Sequence, residues 1–410
     1  MAKILVVGYV WPEPNSSAAG YQMLAILRAY RQQGWQVAFA TPAQKTAHMV
    51  DLTNEGITGH EIILNSDSFD AFILQYQPDI VHFDRFMMEE QFGWRVDQHC
   101  PNALKILDTV DLQFLRGARY AAHKANRVVS QQDLVSELAK REIAAILRCD
   151  LSLIISSYEM DLLINQFKIN PSLLQHLPFL VDLHALPTTT KSFQERQHFM
   201  TIGNFRHAPN WDAVLYLQSI WPLIRKQLPQ AELHIIGSYP PPKATAFNHP
   251  KTGFLVKGWV ESAYAVMESA RVCLAPLRFG AGLKGKLLDA MVMQTPSVTT
   301  SIGAEGMCMP EMSWPGSIAD DIDGFVDAAV RLYTDKDAWQ AAQSRALAHL
   351  QKQFDGEKIA KQLIEKINQL QQNLQQHRLD NFTGAMLKHH TLTSTKYLSQ
   401  WIMEKNKNVE

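Results

Sequence analysis

Short apolar runs alternate along the first half of the chain with stretches whose apolar residues recur every three or four positions. The β-branched run over 3–10 predicts a strand that is buried on both faces of a parallel sheet. The next stretch predicts a helix that Ser16 or Ser17 caps and Gly34 ends, and the run over 36–41 predicts the following strand. The apolar stripe of this helix consists of Met23, Ile26, Leu27 and Tyr30.

The same alternation continues and predicts a second unit of similar design. In the first unit, strands are also predicted at 79–83, 104–107 and 151–156, and a helix at 134–147. In the second unit, strands are predicted at 199–203, 232–237, 254–257, 272–277 and 297–300, with helices that begin near Asn210, Ser262 and Lys284. These two blocks predict an α/β protein with two Rossmann-like, doubly wound domains. Ligands of such sheets bind beyond the carboxyl ends of the strands, so a site is predicted in the central cleft between the domains.

The domain boundaries follow from changes in composition. We predict an N-terminal domain over 1–185, a linker over 186–197, a C-terminal domain over 198–354, a helix over 355–378 and an extension over 379–410. The helix over 355–378 carries a stripe that predicts packing on the N-terminal domain, although its glutamine-rich end could instead pair with a partner helix. Asp355 is its predicted N-cap, with Phe354 as a hydrophobic staple. No role is predicted for the extension.

Charge and composition exclude some classes of function. The 410 residues include 39 Lys and Arg against 40 Asp and Glu, so no strong global field attracts nucleic acid. The four cysteines lack metal-binding spacing and are typical of small buried residues in a reducing compartment. No signal-peptide pattern follows Met1 and no apolar run is long enough to span a membrane, which predicts a cytoplasmic protein. Peripheral contact with the inner face of a membrane stays open.

The segment over 274–306 carries the clearest candidate chemistry. A strand ends at Leu277, a loop with three glycines follows, and a helix begins near Lys284. Glycines let backbone N–H groups approach a ligand, and a helix N-terminus favours an anion. Three cations within nine residues, Arg278, Lys284 and Lys286, suit a diphosphate. A glycine-rich strand–helix connection with solvated lysines is the equally weighted structural alternative.

One acidic residue follows on the same helix. Asp289 lies about one turn beyond the predicted start of the helix. A carboxylate there can accept two hydrogen bonds from a vicinal diol, as the acidic residue of dinucleotide-binding folds does for ribose. The segment as a whole therefore predicts a nucleotide site.

Several linked motifs in this half resemble the retaining glycosyltransferases of the GT-B fold, in the family called group 1 or family 4. The resemblance covers 199 to about 354 well and the N-terminal domain only in general terms. It rests on FGAGLKGKLLDAM, on TPSV from Thr295, on GAEG from Gly303, on FMTIGNFRHAPNWDAV from Phe199 and on VKGWV from Val256. The resemblance implies a nucleotide-sugar-binding C-terminal domain and an acceptor-side N-terminal domain.

The resemblance also implies residue roles. Lys284 and Arg206 would neutralise the diphosphate and assist catalysis, and Asp289 would hold the ribose hydroxyls. The full donor-binding set is Arg206, Trp259, Val260, Gly282, Leu283, Lys284, Lys286 and Asp289. One departure stands out, because the first glutamate of the family pair, whose usual contact is the donor sugar, is replaced here by Ala281. Related subgroups share that change.

The N-terminal domain offers fewer candidates. Ala19 and Gly20 belong to a small-residue loop where phosphate could approach backbone N–H groups, and an ordinary helix N-terminus is the equal alternative. The segment over 106–116 follows a strand and would reach the cleft. It has no histidine, and Asp111 is its candidate catalytic residue, although polar groups at strand ends are as often caps.

Other polar positions are interpreted as structural. His82 is interpreted as a hydrogen-bonded residue at a strand end, and Asp321 as a helix N-cap rather than part of a metal-binding DxD motif. No cluster has metal-ligand spacing, so neither a metal nor another cofactor is predicted.

The resemblance therefore implies a retaining glycosyltransferase of polysaccharide biosynthesis, and the lack of a metal-ligand cluster predicts that it is metal-independent. Its substrate would be a nucleotide-sugar, and its acceptor a saccharide, a lipid-linked saccharide or a protein. The alternative is a nucleotide-binding GT-B scaffold that has lost turnover. A nicotinamide dehydrogenase is excluded because Gly8 is followed by no glycine until Gly20, so GxGxxG is absent. The donor base, the sugar and the oligomeric state are not predicted.

Overall fold

The computed structural model describes residues 2–407, and all of their side chains except those of 390–393. Residue 1 of the predicted N-terminal domain and residues 408–410 of the predicted extension lie outside the described residues. The first parallel sheet has the order β3-β2-β1-β4-β5-β6-β7. Its strands are β1 Lys3–Val7, β2 Gln36–Thr41, β3 Thr58–Glu61, β4 Ile80–Asp84, β5 Leu104–Asp108, β6 Leu151–Ile154 and β7 Leu174–His176.

A second parallel sheet follows, with the order β10-β9-β8-β11-β12-β13. Its strands are β8 Gln197–Ile202, β9 Leu233–Ile236, β10 Phe254–Gly258, β11 Ala270–Ala275, β12 Ser297–Thr299 and β13 Gly316–Ile318. We call residues 2–181 together with 356–407 the first lobe, and residues 182–354 the second lobe.

Helices connect the strands and cover the sheets. In chain order they are α1 Ala18–Gln32, α2 Ser68–Tyr76, α3 Phe86–His99, α4 Gln113–Lys124, α5 Glu137–Arg148, α6 Ser157–Asp161, α7 Ala208–Gln227, α8 Pro242–Thr245, α9 Ala263–Ser269, α10 Gly285–Val292, α11 Ser301–Ala304, α12 Ile322–Thr334, α13 Lys336–Gln353, α14 Gly356–Gln372, α15 Leu374–Asp380 and α16 Phe382–Lys407. No helix of the described residues is both long and apolar enough to cross a membrane.

Both faces of each sheet are buried, which explains the continuous apolar runs. In β1, Leu5 and Val7 join one core cluster, whereas Ile4 joins another on the opposite face. In β8, Met200 and Phe199 divide between two clusters in the same way. Side chains alternate along a strand, so a strand covered by helices on both sides must be apolar at every position. The predicted fold class is confirmed.

Some predicted bounds are wrong for local reasons. The strand predicted over 3–10 ends at Val7, because the Tyr9 N–H leaves the sheet and donates to Asp84. The strand predicted over 151–156 ends at Ile154, and Ser156 instead precedes α6. The helix predicted over 134–147 begins only at Glu137, because Ser136 caps it. The unpredicted strands β3, β7 and β13 are short and carry little apolar signal.

The chain returns to the first lobe after α13. Leu363, Ile367 and Leu370 of α14 lie in a core cluster of the first sheet, and Asp355 caps the helix as predicted. At the crossing, the Val181 N–H donates to the carbonyl of Phe354 at 3.0 Å, and the Gly356 N–H donates to that of Val181 at 2.9 Å. The two chain segments that join the lobes are therefore hydrogen-bonded to each other.

The described part of the predicted extension, residues 379–407, belongs to the first lobe. Helix α16 packs on α3 and α5. Arg378 of α15 donates to both carboxylate oxygens of Asp150, at 2.8 and 2.7 Å, and Arg95 donates to Ser399 at 3.4 Å. These polar contacts connect α15 and α16 to the rest of the first lobe.

Candidate functional site

The glycine-rich loop follows β11, which lies beside β8 at the point where the strand order of the second sheet reverses. Such a switch point opens a crevice at the carboxyl ends of the strands. Gly282 has a φ of 61°, and a Cβ added there would lie 2.9 Å from the Cβ of Asp111 in the first lobe. Only glycine allows both the left-handed backbone and this close approach of the lobes.

Helix α10 begins directly after the loop, as predicted. Lys284 is its N-cap residue and gives no side-chain cap, and the first turn contains no acidic residue. The buried Lys284 ammonium donates to the carbonyl of Gly282 at 2.5 Å. Burial lowers the pKa of Lys284 to about 8, although Glu305 and Glu159 oppose the shift. The positive end of α10 therefore carries a nearby cation and no internal carboxylate cap.

Lys286 and Asp289 lie further along the same helix. Both are half-buried, and burial lowers the pKa of Lys286 to about 8. Burial raises the pKa of Asp289 to about 7, and a hydrogen bond with Tyr264 of α9 opposes this rise. The carboxylate thus points towards α9 rather than capping its own helix.

Arg278 does not join the cluster of cations that the sequence predicted. Its guanidinium donates to both carboxylate oxygens of Asp212 on α7, at 2.9 and 2.6 Å, and lies over the ring of Tyr216. A paired charge of this kind offers little to a phosphate. The expectation of three available cations was therefore wrong for Arg278, whose partner lies far away in sequence.

Arg206 is exposed on the second lobe, in the loop between β8 and α7. Its guanidinium lies 3.8 Å from the ring centroid of Tyr239. It lines an open cleft of about 370 Å³, together with Arg116 and Tyr120 of the first lobe and Phe279 of the glycine-rich loop. The arginine therefore faces the space between the lobes.

An aromatic contact crosses the cleft at the end of β10. Trp259 is 46% exposed, and the His48 ring of the first lobe stacks on it with ring centroids 5.5 Å apart. His48 also contacts Tyr239 edge-on at 6.1 Å. Val260, predicted beside Trp259, is half-buried against the core of the second lobe. Flat rings at the mouth of a cleft suit a nucleobase.

The small-residue loop of the first lobe meets the start of α10. A Cβ added to Gly285 would collide with the Cβ of Ala18, so the N-termini of α1 and α10 approach closely. The Gly20 N–H donates to the hydroxyl of Ser17 at 3.0 Å, which is an ordinary N-cap. Ala19 is half-buried beside it. The structure brings this loop to the cleft, with the Gly20 N–H already hydrogen-bonded.

Asp111 lies at the start of α4, beside the glycine-rich loop. Its carboxylate forms a salt bridge with Arg116, and its side chain is 13% exposed. The structure brings Asp111 and Gly282 together across the cleft, whereas His82 is buried in β4 against Tyr30. Asp321 caps α12 through the Gly324 N–H at 2.8 Å, as predicted.

Two buried glutamates that the sequence did not indicate lie at the start of α4. Glu142 accepts the N–H groups of Gln113 and Phe114, each at 3.0 Å. Oε1 of Glu159 accepts the N–H of Leu112 at 3.1 Å and, across the cleft, that of Gly282 at 2.8 Å. Burial raises the pKa of Glu142 to about 8 and that of Glu159 to about 7.

Arg119 of α4 ties the two lobes together. It donates to both carboxylate oxygens of Glu305, at 2.7 and 2.8 Å, and to the carbonyl of Gly280 at 2.8 Å. Ala281, which lies between Gly280 and Gly282, packs into the core of the first lobe. A glutamate at position 281 would bury its carboxylate in this apolar cluster, so the alanine fits the way the loop inserts.

Comparison with known proteins identifies the fold and one matching family model. Residues 196–335 match the family model described as "Glycosyl transferases group 1". The structure of HepE (Alr3699) from Anabaena, in complex with UDP and glucose, superposes with a TM-score of 0.68 over 90% of this chain and 100% of that chain, at 13% identity. The chain has the GT-B fold.

Other GT-B structures are similar over most of their length. Sucrose-phosphate synthase from Thermosynechococcus elongatus gives a TM-score of 0.64 over 90% of this chain and 99% of that one, at 16% identity. A glycosyltransferase from Rickettsia africae gives 0.64 over 89% and 97%, at 11% identity. No curated protein sequence matches the chain significantly.

The GT-B cleft thus contains an uncapped helix start with two lysines, a carboxylate one turn further on, and carboxylates from the opposite lobe. In the described residues, no group of three or more His, Cys, Asp or Glu side chains could hold a metal ion. The sequence did not indicate His48, Arg119, Glu142 or Glu159 as parts of this cleft. The one available signal was that Glu159 and Arg119 each lie in the first helix after a predicted strand.

Proposed function

We propose that this protein is a glycosyltransferase that moves a sugar from a nucleotide-sugar donor to an acceptor. The family match of the second lobe and the GT-B fold of the whole described chain support this. The observation that carries the proposal is the start of α10, which has Lys284 and Lys286 but no acidic residue in its first turn. A helix end of this kind, enclosed between two lobes, favours a bound diphosphate.

In the proposed complex, the second lobe holds the nucleotide. The N-terminus of α10 and the backbone of Gly282 and Leu283 would line the diphosphate, although the Gly282 N–H itself donates to Glu159. Lys284 and Lys286 would supply positive charge. Asp289 would accept hydrogen bonds from the ribose hydroxyls, and Trp259 would lie against the base, with Val260 beside it. The solved complex of HepE with UDP-glucose is consistent with this class of ligand.

The proposed chemistry depends on stabilising the leaving group. As the bond between sugar and phosphate breaks, negative charge develops on the diphosphate, and preorganised cations and helix N–H groups stabilise it. Arg206, which faces the cleft across from Arg116, would approach the same charge when the lobes close on the donor. Asp111 is the candidate for a polar contact near the acceptor. We propose retention of anomeric configuration and no requirement for a metal.

The acceptor is proposed only as a class, namely a glycan, a lipid-linked saccharide or a protein. The lobes are already in contact around Gly282 and Gly285, so a nucleotide would reach the start of α10 after the lobes separate, and the crossing near Val181 is the proposed hinge. Closing again around the donor would exclude water, which protects a hydrolysable substrate.

The first experiment is calorimetric titration with UDP, ADP and GDP. Lys284→Ala should weaken the preferred diphosphate by about tenfold to 150-fold, because a charge-assisted hydrogen bond contributes about 1.5–3 kcal/mol. Lys336→Ala is the matched control, since Lys336 is also the lysine at a helix start but lies exposed on α13. Equal affinity of the two variants would remove Lys284 from the site.

Turnover separates an enzyme from the alternative scaffold, which Ala281 favours. Wild-type protein should hydrolyse or transfer sugar from the donor it binds, and should do so equally in a chelator. NMR of the product should show an unchanged anomeric configuration. Binding without any turnover across UDP-glucose, ADP-glucose and GDP-mannose would support the scaffold instead.

A further inference from the structure

One oxygen of a fully buried carboxylate in the cleft has no partner. Glu159 is 0% exposed, and its Oε1 accepts both the Leu112 N–H of the first lobe and the Gly282 N–H of the second. Its Oε2 is buried and forms no hydrogen bond with the described residues. A buried acceptor left unpaired costs free energy, so such atoms call for an explanation.

The position of this oxygen restricts what could pair with it. Lys284 and Asp111 are the charged groups whose fields act on Glu159. Lys284 stands at the start of α10, where the proposed diphosphate would bind, and Asp111 lies beside Gly282 in the first lobe. The group joined directly to a diphosphate at this place is the transferred sugar. Sugar hydroxyls are hydrogen-bond donors, which is what an unpaired carboxylate oxygen requires.

The carboxylate is also held in a fixed orientation. Two backbone N–H groups converge on Oε1, one from each lobe, and the side chain lies on the short helix α6 directly after β6. A group fixed in this way loses little entropy when a ligand binds, and it selects for the position of the hydroxyl it meets.

We propose that Oε2 of Glu159 accepts a hydrogen bond from a hydroxyl of the donor sugar, which makes Glu159 a residue that determines sugar specificity. This inference rests on the proposed function, because it requires a nucleotide-sugar in the cleft. The first lobe then contributes to recognition of the donor as well as the acceptor. In this proposal Glu159 supplies the carboxylate for the sugar, while Ala281 packs into the core of the first lobe.

The geometry allows a substitution that changes one atom. In Glu159→Gln, Oε1 must keep facing the two N–H groups, so the amide nitrogen takes the position of Oε2 and replaces an acceptor by a donor. Titration compares UDP, ADP and GDP with UDP-glucose, ADP-glucose and GDP-mannose. We expect the variant to bind the preferred nucleotide-sugar about tenfold more weakly than wild type, and to bind its diphosphate equally well.

Glu142→Gln is the matched control. Glu142 is equally buried at the same helix start, but each of its oxygens already accepts an N–H of the first lobe. This variant should not change the ratio of the two affinities, whatever it does to stability. Thermal unfolding of both variants checks that they are folded under the assay conditions.

The remaining outcomes are distinct. Equal weakening of the diphosphate and the nucleotide-sugar in Glu159→Gln would mean that Glu159 only shapes the cleft, and tighter binding of the diphosphate would mean that it only competes with phosphate. Either result overturns the inference. The inference is also overturned if wild-type protein binds each nucleotide-sugar no more tightly than the matching diphosphate. A wild type that binds none of the three diphosphates would instead overturn the proposed function itself.

Discussion

Helices α4 and α10 begin on opposite sides of the same cleft, and the side chains around their N-termini differ in charge. At α4, Glu142 and Glu159 accept the first three N–H groups of the helix start, those of residues 112–114. At α10, no acidic residue lies in the first turn and the N-cap residue is Lys284. One helix start has internal carboxyl groups that accept its N–H groups, whereas the other has two lysines and no carboxyl group in its first turn.

This difference distinguishes a helix start whose N–H groups only stabilise the fold from a helix start that can bind a ligand. Internal carboxylates satisfy the N–H groups of α4 permanently, so that end cannot also serve an external phosphate. The end of α10 is stabilised most when an anion arrives from outside. Three further predictions test this contrast, beginning with the contact that holds the two helix ends opposite each other.

The largest effect is expected from Arg119→Ala. Arg119 lies on α4 and binds Glu305 and the Gly280 carbonyl of the other lobe, so its removal leaves a half-buried carboxylate without its partner. The free energy of unfolding should fall by about 3–5 kcal/mol, as measured by chemical denaturation. In the double variant Arg119→Ala with Glu305→Ala the loss should be smaller than the sum. If the losses of the two single variants simply add, the pair of Arg119 and Glu305 does not hold the lobes together.

A smaller effect is expected from Asp289→Asn, which tests the α10 side. The preferred nucleoside diphosphate should bind about 1.5–3 kcal/mol more weakly, since an amide cannot accept two hydrogen bonds from a diol through both terminal atoms. Because the pKa of Asp289 is raised to about 7, protonation removes the acceptor below that pH. Wild-type affinity should therefore increase from pH 6 to 7, below the range near pH 8 in which Lys284 and Lys286 lose their charge, and the variant should lose most of this dependence. A 2′-deoxyribose diphosphate should bind both proteins alike.

The smallest effect is expected from Glu142→Gln, and it concerns the pH dependence of stability. The unfolded chain releases the proton of residue 142 near pH 4.5, whereas the folded protein keeps it to about 8. The free energy of unfolding therefore decreases as pH rises through this window. The variant should reduce that slope by up to about 1 kcal/mol per pH unit, as measured by urea unfolding at pH 5, 6, 7 and 8. An unchanged slope would mean that Glu142 is ionised throughout.

The α10 side could be predicted from the sequence because its parts are neighbours in the chain. The glycines, Lys284 and Asp289 lie in one strand–loop–helix segment, and their spacing alone predicts which groups lie together. The pairing of Arg278 could not be predicted in this way, because Asp212 lies 66 positions earlier and reaches it only through the fold. Local pattern identifies a charge but not its tertiary partner.

The α4 side could not be predicted, for the same physical reason. Residues 112, 142, 159 and 282 meet only because β5 and β6 are adjacent and the lobes are in contact. Apart from its place in the first helix after a predicted strand, nothing near Glu159 in the sequence distinguishes it from an exposed helical glutamate. The short edge strands were missed because a strand with few neighbours needs few apolar residues. The doubly wound architecture, by contrast, follows from the apolar runs alone.

The crossing between the lobes has a consequence for how the gene can be rearranged. Val181 is hydrogen-bonded to Phe354 and Gly356, so the whole second lobe leaves and re-enters the first at one place. The second lobe is encoded by one uninterrupted stretch of the gene, and the two ends of the segment it encodes are adjacent in the folded protein. A segment with such ends can be exchanged as one piece, because both joints lie at a single hydrogen-bonded site, provided that the replacement supplies the contact that Ala281 makes with the core of the first lobe.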